Sequence, residues 1–476
     1  MDSSVSVPEL PDGLEWVNVD QPVRLRALRG RVVILHFWSY SNTHSQHNIP
    51  DLRHLEVKYH DGLCVVSIHC PRFPAEREPA NVLKAVNRAF IRHPVASDPH
   101  FQAWDVWGVN AWPTLVVLDT SGRPVRTFVG EGHRSMLDPL VNDLLEDAAA
   151  RDARVYESVQ PAARPESKLP LRFPGRVLAT ESLLYVADSG HNRIIEVTHD
   201  GRVLRQFGSG NPGFWDGKGG DAAFNDPQGM AIVKDLLYVA DRGNHAIRRV
   251  RLHNGEVDTL AGTGQQGLEA VVDSPNLRGT GLNAPCDLTA AAEQLFIAMS
   301  GSNQVWAIDL ARRIIGRVVG TGAHDLRDGG IDIAAFARPS GVAAGVQALY
   351  VADADASAIR SVRLLDAHVR TLAGAGLYES GDTDGVPNRV RLQGPTAIAL
   401  DPGGSILWIA DTLNGKIKAL SLRGGGVRTL AVPYRLHEPG GIASAAQSLW
   451  VANTNAHEVL RIDTGTGQIR RVPIGD

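Results

Sequence analysis

Two histidines three residues apart, His44 and His47, stand beside two serines in the segment Tyr40-Ser41-Asn42-Thr43-His44-Ser45 and its continuation. That spacing can bring both imidazoles to one face of a helix, to ligate a metal or to act as a base toward a serine hydroxyl. No third ligand of matching spacing is evident, so no metal is expected. The histidines are read as exposed residues at a helix start, with Ser or Asn as the N-cap. Three cysteines, Cys64, Cys70 and Cys286, form neither a Cys-x-x-Cys pair nor an even framework. Cys64 sits mid-strand and is expected to be buried. Cys70 follows a strand in His69-Cys70-Pro71 and is the outside candidate for a reactive thiol. Further along, Asp188, Asp241, Asp353 and Asp411 recur at one repeat position, with Asn453 in a sixth copy and Met299-Ser300 breaking the series. Such a carboxylate most simply accepts backbone N–H bonds in the tight turn before the next strand. The sharper alternative is a calcium or other metal site at a channel mouth, for which several of these carboxylates must converge.

The elements that must position these groups fall into two kinds. The first third alternates strands and helices. Val32-Val33-Ile34-Leu35-His36-Phe37-Trp38 is a buried-strand run, and Ile49, Leu52 and Leu55 recur at helical spacing within 48–56. Strands are predicted over 63–68, 114–119 and 125–130, and helices over 81–91 and 136–145. The order βαβα, then a hairpin, then α is an α/β sandwich. Residues 148–169, with Pro161-Ala162-Ala163-Arg164-Pro165, carry no apolar period and are read as a linker. Beyond it the chain repeats itself six times, in 183–197, 236–250, 294–308, 348–362, 406–420 and 448–462. Each copy is a strand, a polar turn and a second strand, with a strand before it that opens after a proline (Pro227, Pro339, Pro395) and a fourth strand after it. Four antiparallel strands repeated six times predict the blades of a propeller. The sixth copy supplies its own fourth strand near Ile469, so closure without a swapped strand is expected.

The Tyr-Val-Ala-Asp turn followed by a polar cluster and an Ile-Arg pair resembles the NHL repeat. The Phe37-Trp38 strand end and Trp112-Pro113-Thr114 resemble thioredoxin-like proteins, with Pro113 where that family places its cis-proline. Together with Gly130-Glu131-Gly132-His133, Phe173-Pro174-Gly175-Arg176-Val177 and the recurring Asp216-Gly217…Ala223-Phe224 and Asp328-Gly329…Ala335-Phe336 runs, the chain resembles the NHL-repeat-containing protein 2 family from about Leu14 onward, in a bacterial form without the β-domain that longer members carry after the propeller. The resemblance implies a multidomain fold: a thioredoxin-like α/β sandwich over 1–147, the linker 148–169, and an all-β six-bladed NHL propeller over 170–476. It also implies a dithiol site, whose Cys-x-x-Cys positions are here Asn42 and Ser45, with Ser41 at a third position that is often cysteine. Serine at neutral pH is a negligible nucleophile without a base and forms no disulfide. The site Ser41, Asn42, Thr43, His44, Ser45 and Pro113 is therefore read as degenerate, with no catalytic residue and no cofactor.

Composition narrows the function classes. Lys and Arg total 48 against 52 Asp and Glu, a formal charge of −4, so neither a nucleic-acid glove nor a membrane-steering surface is expected. Arg193, Arg242, Arg248, Arg249 and Arg251 cluster in the first two blades, where nearby acids nearly cancel them. A solvated surface is expected there rather than an RNA face. The first residues lack a leader's basic and apolar regions, and the cysteine usage fits a reducing compartment, so a cytoplasmic protein is expected. The expected function is a non-catalytic scaffold whose thioredoxin-like domain and propeller form a cleft for a protein or peptide. Its binding residues are placed at Trp38, His44, His47, Trp112, Pro113, Asp188, Arg193, Asp241, Arg242, Asp353 and Asp411. The alternative is an enzyme, either a thiol oxidoreductase through Cys70 or a metal-dependent hydrolase or lyase in the propeller channel.

Overall fold

The structure is a computed structural model and describes residues 8–156, 169–269, 271 and 273–475. The chain divides into two compact units, Met1–Ser167 and Lys168–Asp476. Of the segment read as a linker, 157–168 lie outside the described residues.

The first unit is built on β1 (Glu15–Trp16), β2 (Val32–Trp38), α1 (Thr43–Lys58), β3 (Leu63–His69), α2 (Pro79–Arg88), β4 (Val95–Ser97), α3 (Gln102–Val106), β5 (Thr114–Leu118), β6 (Pro124–Val129) and α4 (Arg134–Ala150). Its sheet runs β1-β4-β3-β2-β5-β6. The β2–β3 and β3–β4 pairs are parallel, and β5 is antiparallel to β2. Central parallel strands are covered on both faces, which is why β2 and β3 read as unbroken apolar runs. Alternation along β2 sends Val33, Leu35 and Phe37 into one core with Cys64, Val66 and Ile68. Val32 and Ile34 go to the other, against Leu52 and Leu55 of α1 and Leu137, Val141 and Leu145 of α4. Three short elements, β1, β4 and α3, are additions to the order read from the sequence. None is longer than five residues, too short to show a period.

The second unit is six four-stranded sheets in chain order, each with its own complement of strands. The second blade also pairs Gly217–Lys218 along its outer edge. Recurrent side-chain bonds lock neighbouring blades. The residue before each inner-strand proline (Phe173, Asp226, Ala284, Arg338, Gly394 and Glu438) takes positive φ, a conformation that the proline itself does not favour. In the second, third and fourth blades its N–H is claimed by the preceding blade: Asp226 by Asn192 Oδ1 at 2.9 Å, Ala284 by His245 Nδ1 at 3.0 Å, Arg338 by Asn303 Oδ1 at 3.0 Å. A hydroxyl beside it takes the next proline's carbonyl, as in Ser189 to Pro227 at 2.6 Å and Thr412 to Pro439 at 2.9 Å. The ring closes with the same two bonds. Phe173 N–H donates to His457 Nδ1 at 3.1 Å, and Thr454 Oγ1 donates to the Pro174 carbonyl at 2.8 Å. The last strand, Ile469–Arg471, pairs with Glu458–Asp463 of its own blade, so no strand is exchanged at the seam. His457→Ala is expected to destabilise the propeller by about 1–3 kcal/mol, because it strands the Phe173 N–H. His457→Asn should recover most of that loss, since asparagine tolerates positive φ and makes this bond at Asn192 and Asn303. Urea midpoints of the two variants check this.

Candidate functional site

The degenerate site sits where β2 hands the chain to α1. Asn42 is the N-cap of α1, and its Oδ1 accepts the Ser45 N–H at 2.7 Å. A carboxamide thus satisfies the orphan amide that a helix N-terminus would otherwise offer to an anion. The serines turn inward. Ser41 Oγ donates to Glu76 Oε1 at 2.6 Å, Ser39 Oγ donates to Glu76 Oε2 at 2.7 Å, and His69 Nε2 lies 3.1 Å from Glu76 Oε2. Ser45 is fully buried, and its Oγ accepts the Ser39 N–H at 3.4 Å. Burial pushes the Glu76 carboxyl up, but the His69 and serine hydrogen bonds outweigh it and hold Glu76 below the usual range. The sequence reading missed Glu76, 35 residues from Ser41.

His44 and His47 face Glu131 instead. His44 Nδ1 stands 2.9 Å from Glu131 Oε1, and His47 Nδ1 stands 2.6 Å from Glu131 Oε2. Burial again opposes the shift, yet the two imidazoles hold the Glu131 carboxyl well below its usual range. Glu131 comes from the β6–α4 loop, where Gly130 and Gly132 take φ of +90° and +80°, a conformation that glycine adopts without penalty. The loop is tied down by Gly130 N–H to the Pro113 carbonyl at 2.8 Å and Asn48 Nδ2 to the Gly130 carbonyl at 3.2 Å. Among the described residues, His44, His47 and Glu131 form the one group of three His, Cys, Asp or Glu with ligand atoms all within 4.8 Å. The Gly-Glu-Gly-His motif was visible in the sequence as a family feature, and its glycine-flanked acid was the available signal for a third ligand.

The thiols are closed off. Burial drives Cys64 up to about 12. It drives Cys70 well above the ordinary thiol value, and the neighbouring Asp98, with Oδ2 3.9 Å from the sulfur, adds to the effect. Cys70, the outside candidate for a reactive thiol, lies fully buried just after β3. Trp38, expected to line a groove, is likewise enclosed, with its ring against His36 and His69. The Trp112–Pro113 peptide bond is cis. Trp112 packs 4.5 Å from Trp104 and donates from Nε1 to the Cys70 carbonyl at 3.0 Å, while part of its ring stays exposed.

In the propeller the repeat carboxylates are interior. Asp188, Asp241, Asp353 and Asp411 are fully buried. Each accepts a backbone N–H from the loop leading into its own blade: Arg172, Asn225, Ala337 and Gln393, at 2.7, 2.8, 2.7 and 2.7 Å. Their backbone partners thus lie in the loop before the blade, while the turn after the strand is held through side chains, His191 on Asp188 at 2.8 Å, Asn244 on Asp241 at 2.8 Å and Asn414 on Asp411 at 2.7 Å; none of the four is presented to a partner. Burial pushes Asp241 and Asp353 up to about 6 and Asp411 up to about 7, against the pull of Arg248, Arg360 and Lys418. Arg193 pairs with Asp188 at 2.8 Å and Arg242 with Asp226 at 2.5 Å, both partly exposed. The channel is spanned by Arg176, from the Phe173-Pro174-Gly175-Arg176-Val177 motif. Arg176 donates to the carbonyls of Gly440, Ser340 and Thr396, on the sixth, fourth and fifth blades, and lies 3.7 Å from Asp287 on the third. Among the described residues no helix is long and apolar enough to cross a membrane.

The profile described as thioredoxin-like matches residues 30–124, and that of the NHL repeat matches residues 224–249. Over 99% of its length the chain is 33% identical to human NHL repeat-containing protein 2, of which it covers 72%. Over 98% of its length it is 36% identical to the Arabidopsis thaliana protein SUPPRESSOR OF QUENCHING 1, chloroplastic, of which it covers 47%. The thiol-disulfide oxidoreductase YkuV of Bacillus subtilis is 26% identical over 30% of this chain and 95% of that protein.

Proposed function

The chain belongs to the NHL repeat-containing protein 2 family, and from that premise and the chemistry of the α1 N-terminus we propose that it is a non-catalytic protein that binds a protein or peptide partner. The observation that carries this reading is the Asn42 carboxamide on the Ser45 amide at 2.7 Å, in the place where a dithiol enzyme needs a thiolate. The relative named as an oxidoreductase favours redox chemistry by likeness. The buried Cys70, held protonated beside Asp98, argues against it. The spanning of the channel by Arg176 likewise argues against a hydrolase or lyase acting there. The partner's site is placed beside Trp112 and the cis Pro113, where an extended segment can pair its backbone and lie on the exposed part of the indole. The three buried free cysteines fit a reducing compartment, and we place the protein in the cytoplasm.

Affinity capture from a lysate of the source cells, quantified for wild type and Trp112→Ala in parallel, tests this. A specific protein recovered with wild type and depleted at least tenfold with Trp112→Ala is expected. Identical recovery of every captured protein by the two baits would remove Trp112 from the binding surface and the reading with it.

A further inference from the structure

We propose that His44, His47 and Glu131 form a zinc site, with Nδ1 of each histidine and one Glu131 oxygen as ligands and a fourth position open to solvent. This goes beyond the binding reading and does not depend on it. The donors are nearly in place. Zinc bonds of about 2.0–2.1 Å in a tetrahedron set ligand atoms roughly 3.4 Å apart. The imidazole nitrogens here stand 2.9 and 2.6 Å from the carboxylate oxygens, and all three donors lie within 4.8 Å of one another. An entering ion has to bring donor separations of at most 4.8 Å to roughly 3.4 Å.

The three side chains are also held in that arrangement by the fold. His44 and His47 sit one helical turn apart on α1, and the Nδ1 of each faces an oxygen of the same Glu131 carboxylate. The Glu131 loop is fixed to α1 and to the Pro113 segment by the two Gly130 hydrogen bonds, the second-sphere support a metal site needs. Two imidazoles and one carboxylate suit zinc, whereas magnesium and calcium want oxygen shells. The side-chain exposures of 35%, 15% and 16% leave an entry path and room for a water in the fourth position. The positive end of the α1 dipole opposes a cation. The full charge of Glu131, with Asp51 one turn beyond His47, outweighs it.

The test is a zinc titration of the full chain, stripped with chelator, against a chromophoric zinc competitor. Cobalt(II) serves as the spectroscopic reporter. One equivalent of zinc is expected with micromolar or tighter affinity, together with visible d–d absorption of the four-coordinate cobalt form. His44→Ala and Glu131→Gln should each weaken zinc by at least roughly tenfold, the loss that even outer-sphere partners of zinc ligands can cause. Far-UV circular dichroism confirms that each variant folds. His44 is the most exposed of the three, so its variant decides the matter alone if the Glu131 variant does not fold. Absence of stoichiometric binding would overturn the proposal. So would equal affinity in wild type and His44→Ala, because the chain has 17 histidines and the ion would then sit on others.

Discussion

Arg248→Met is expected to cost the propeller about 3–5 kcal/mol, the range for removing one partner of a buried ion pair. Arg248 is fully buried. Its Nη1 donates to Asp241 Oδ2 at 3.0 Å and to the Ala223 carbonyl at 2.7 Å, and its Nη2 donates to the Trp215 carbonyl at 2.7 Å and Asp216 Oδ1 at 3.0 Å. Methionine fills part of the volume and leaves the Asp241 carboxylate in the core with no cation. The other blades show how the chain handles that charge. The fourth repeats the pair as Arg360 and Asp353 at 3.0 Å. In the fifth, Lys418 stands 3.9 Å from Asp411 and bonds to Asp382 and Asp384. In the third both charges are gone together, with Met299 and Trp306 buried at the two positions. In the sixth the positions hold Asn453 and Leu460. The break at Met299 is therefore a paired replacement, and its partner lies seven residues on. The double variant Asp241→Asn/Arg248→Met, which sets the sixth blade's asparagine opposite an apolar side chain, should recover more than half of the Arg248→Met loss. Urea midpoints of wild type, both single variants and the double give the coupling directly. A single-variant cost under about 1 kcal/mol would show that the pair contributes little.

Asn42→Cys/Ser45→Cys is expected to raise dithiothreitol-driven insulin reduction at least tenfold over the reagent's own rate. The cysteine at position 42 would replace the carboxamide that now takes the Ser45 N–H, so its thiolate inherits that hydrogen bond and the positive end of α1. The cysteine at 45, in a fully buried position, is placed to resolve the mixed disulfide. Asn42→Cys alone should form the mixed disulfide and stall. If the double variant shows no gain, loss of the sulfurs is not what silences the site.

Much of the architecture was legible because it repeats. Six copies of one strand–turn–strand pattern define the blades, and the self-contained sixth blade was visible from the residues around Ile469. The N-cap at Asn42 could likewise be read from local chemistry. What the sequence concealed were partners brought together from afar. Glu131 is 84 residues from His47, and Arg176 meets the Gly440 carbonyl 264 residues away. Neither separation leaves a periodicity or a spacing to read. Exposure was the other blind spot. Trp38 was expected to line a groove and Cys70 was the outside candidate for a reactive thiol, yet both are buried. The repeat aspartates could be read as turn residues, but the backbone they hold lies in loops 16 to 18 residues upstream.

Insulin reduction by the wild-type chain with dithiothreitol decides whether the thioredoxin-like domain is redox-silent. A rate indistinguishable from that of dithiothreitol alone is expected. A rate clearly above it that disappears in Cys70→Ser would show that a buried thiol turns over and that the protein is an enzyme.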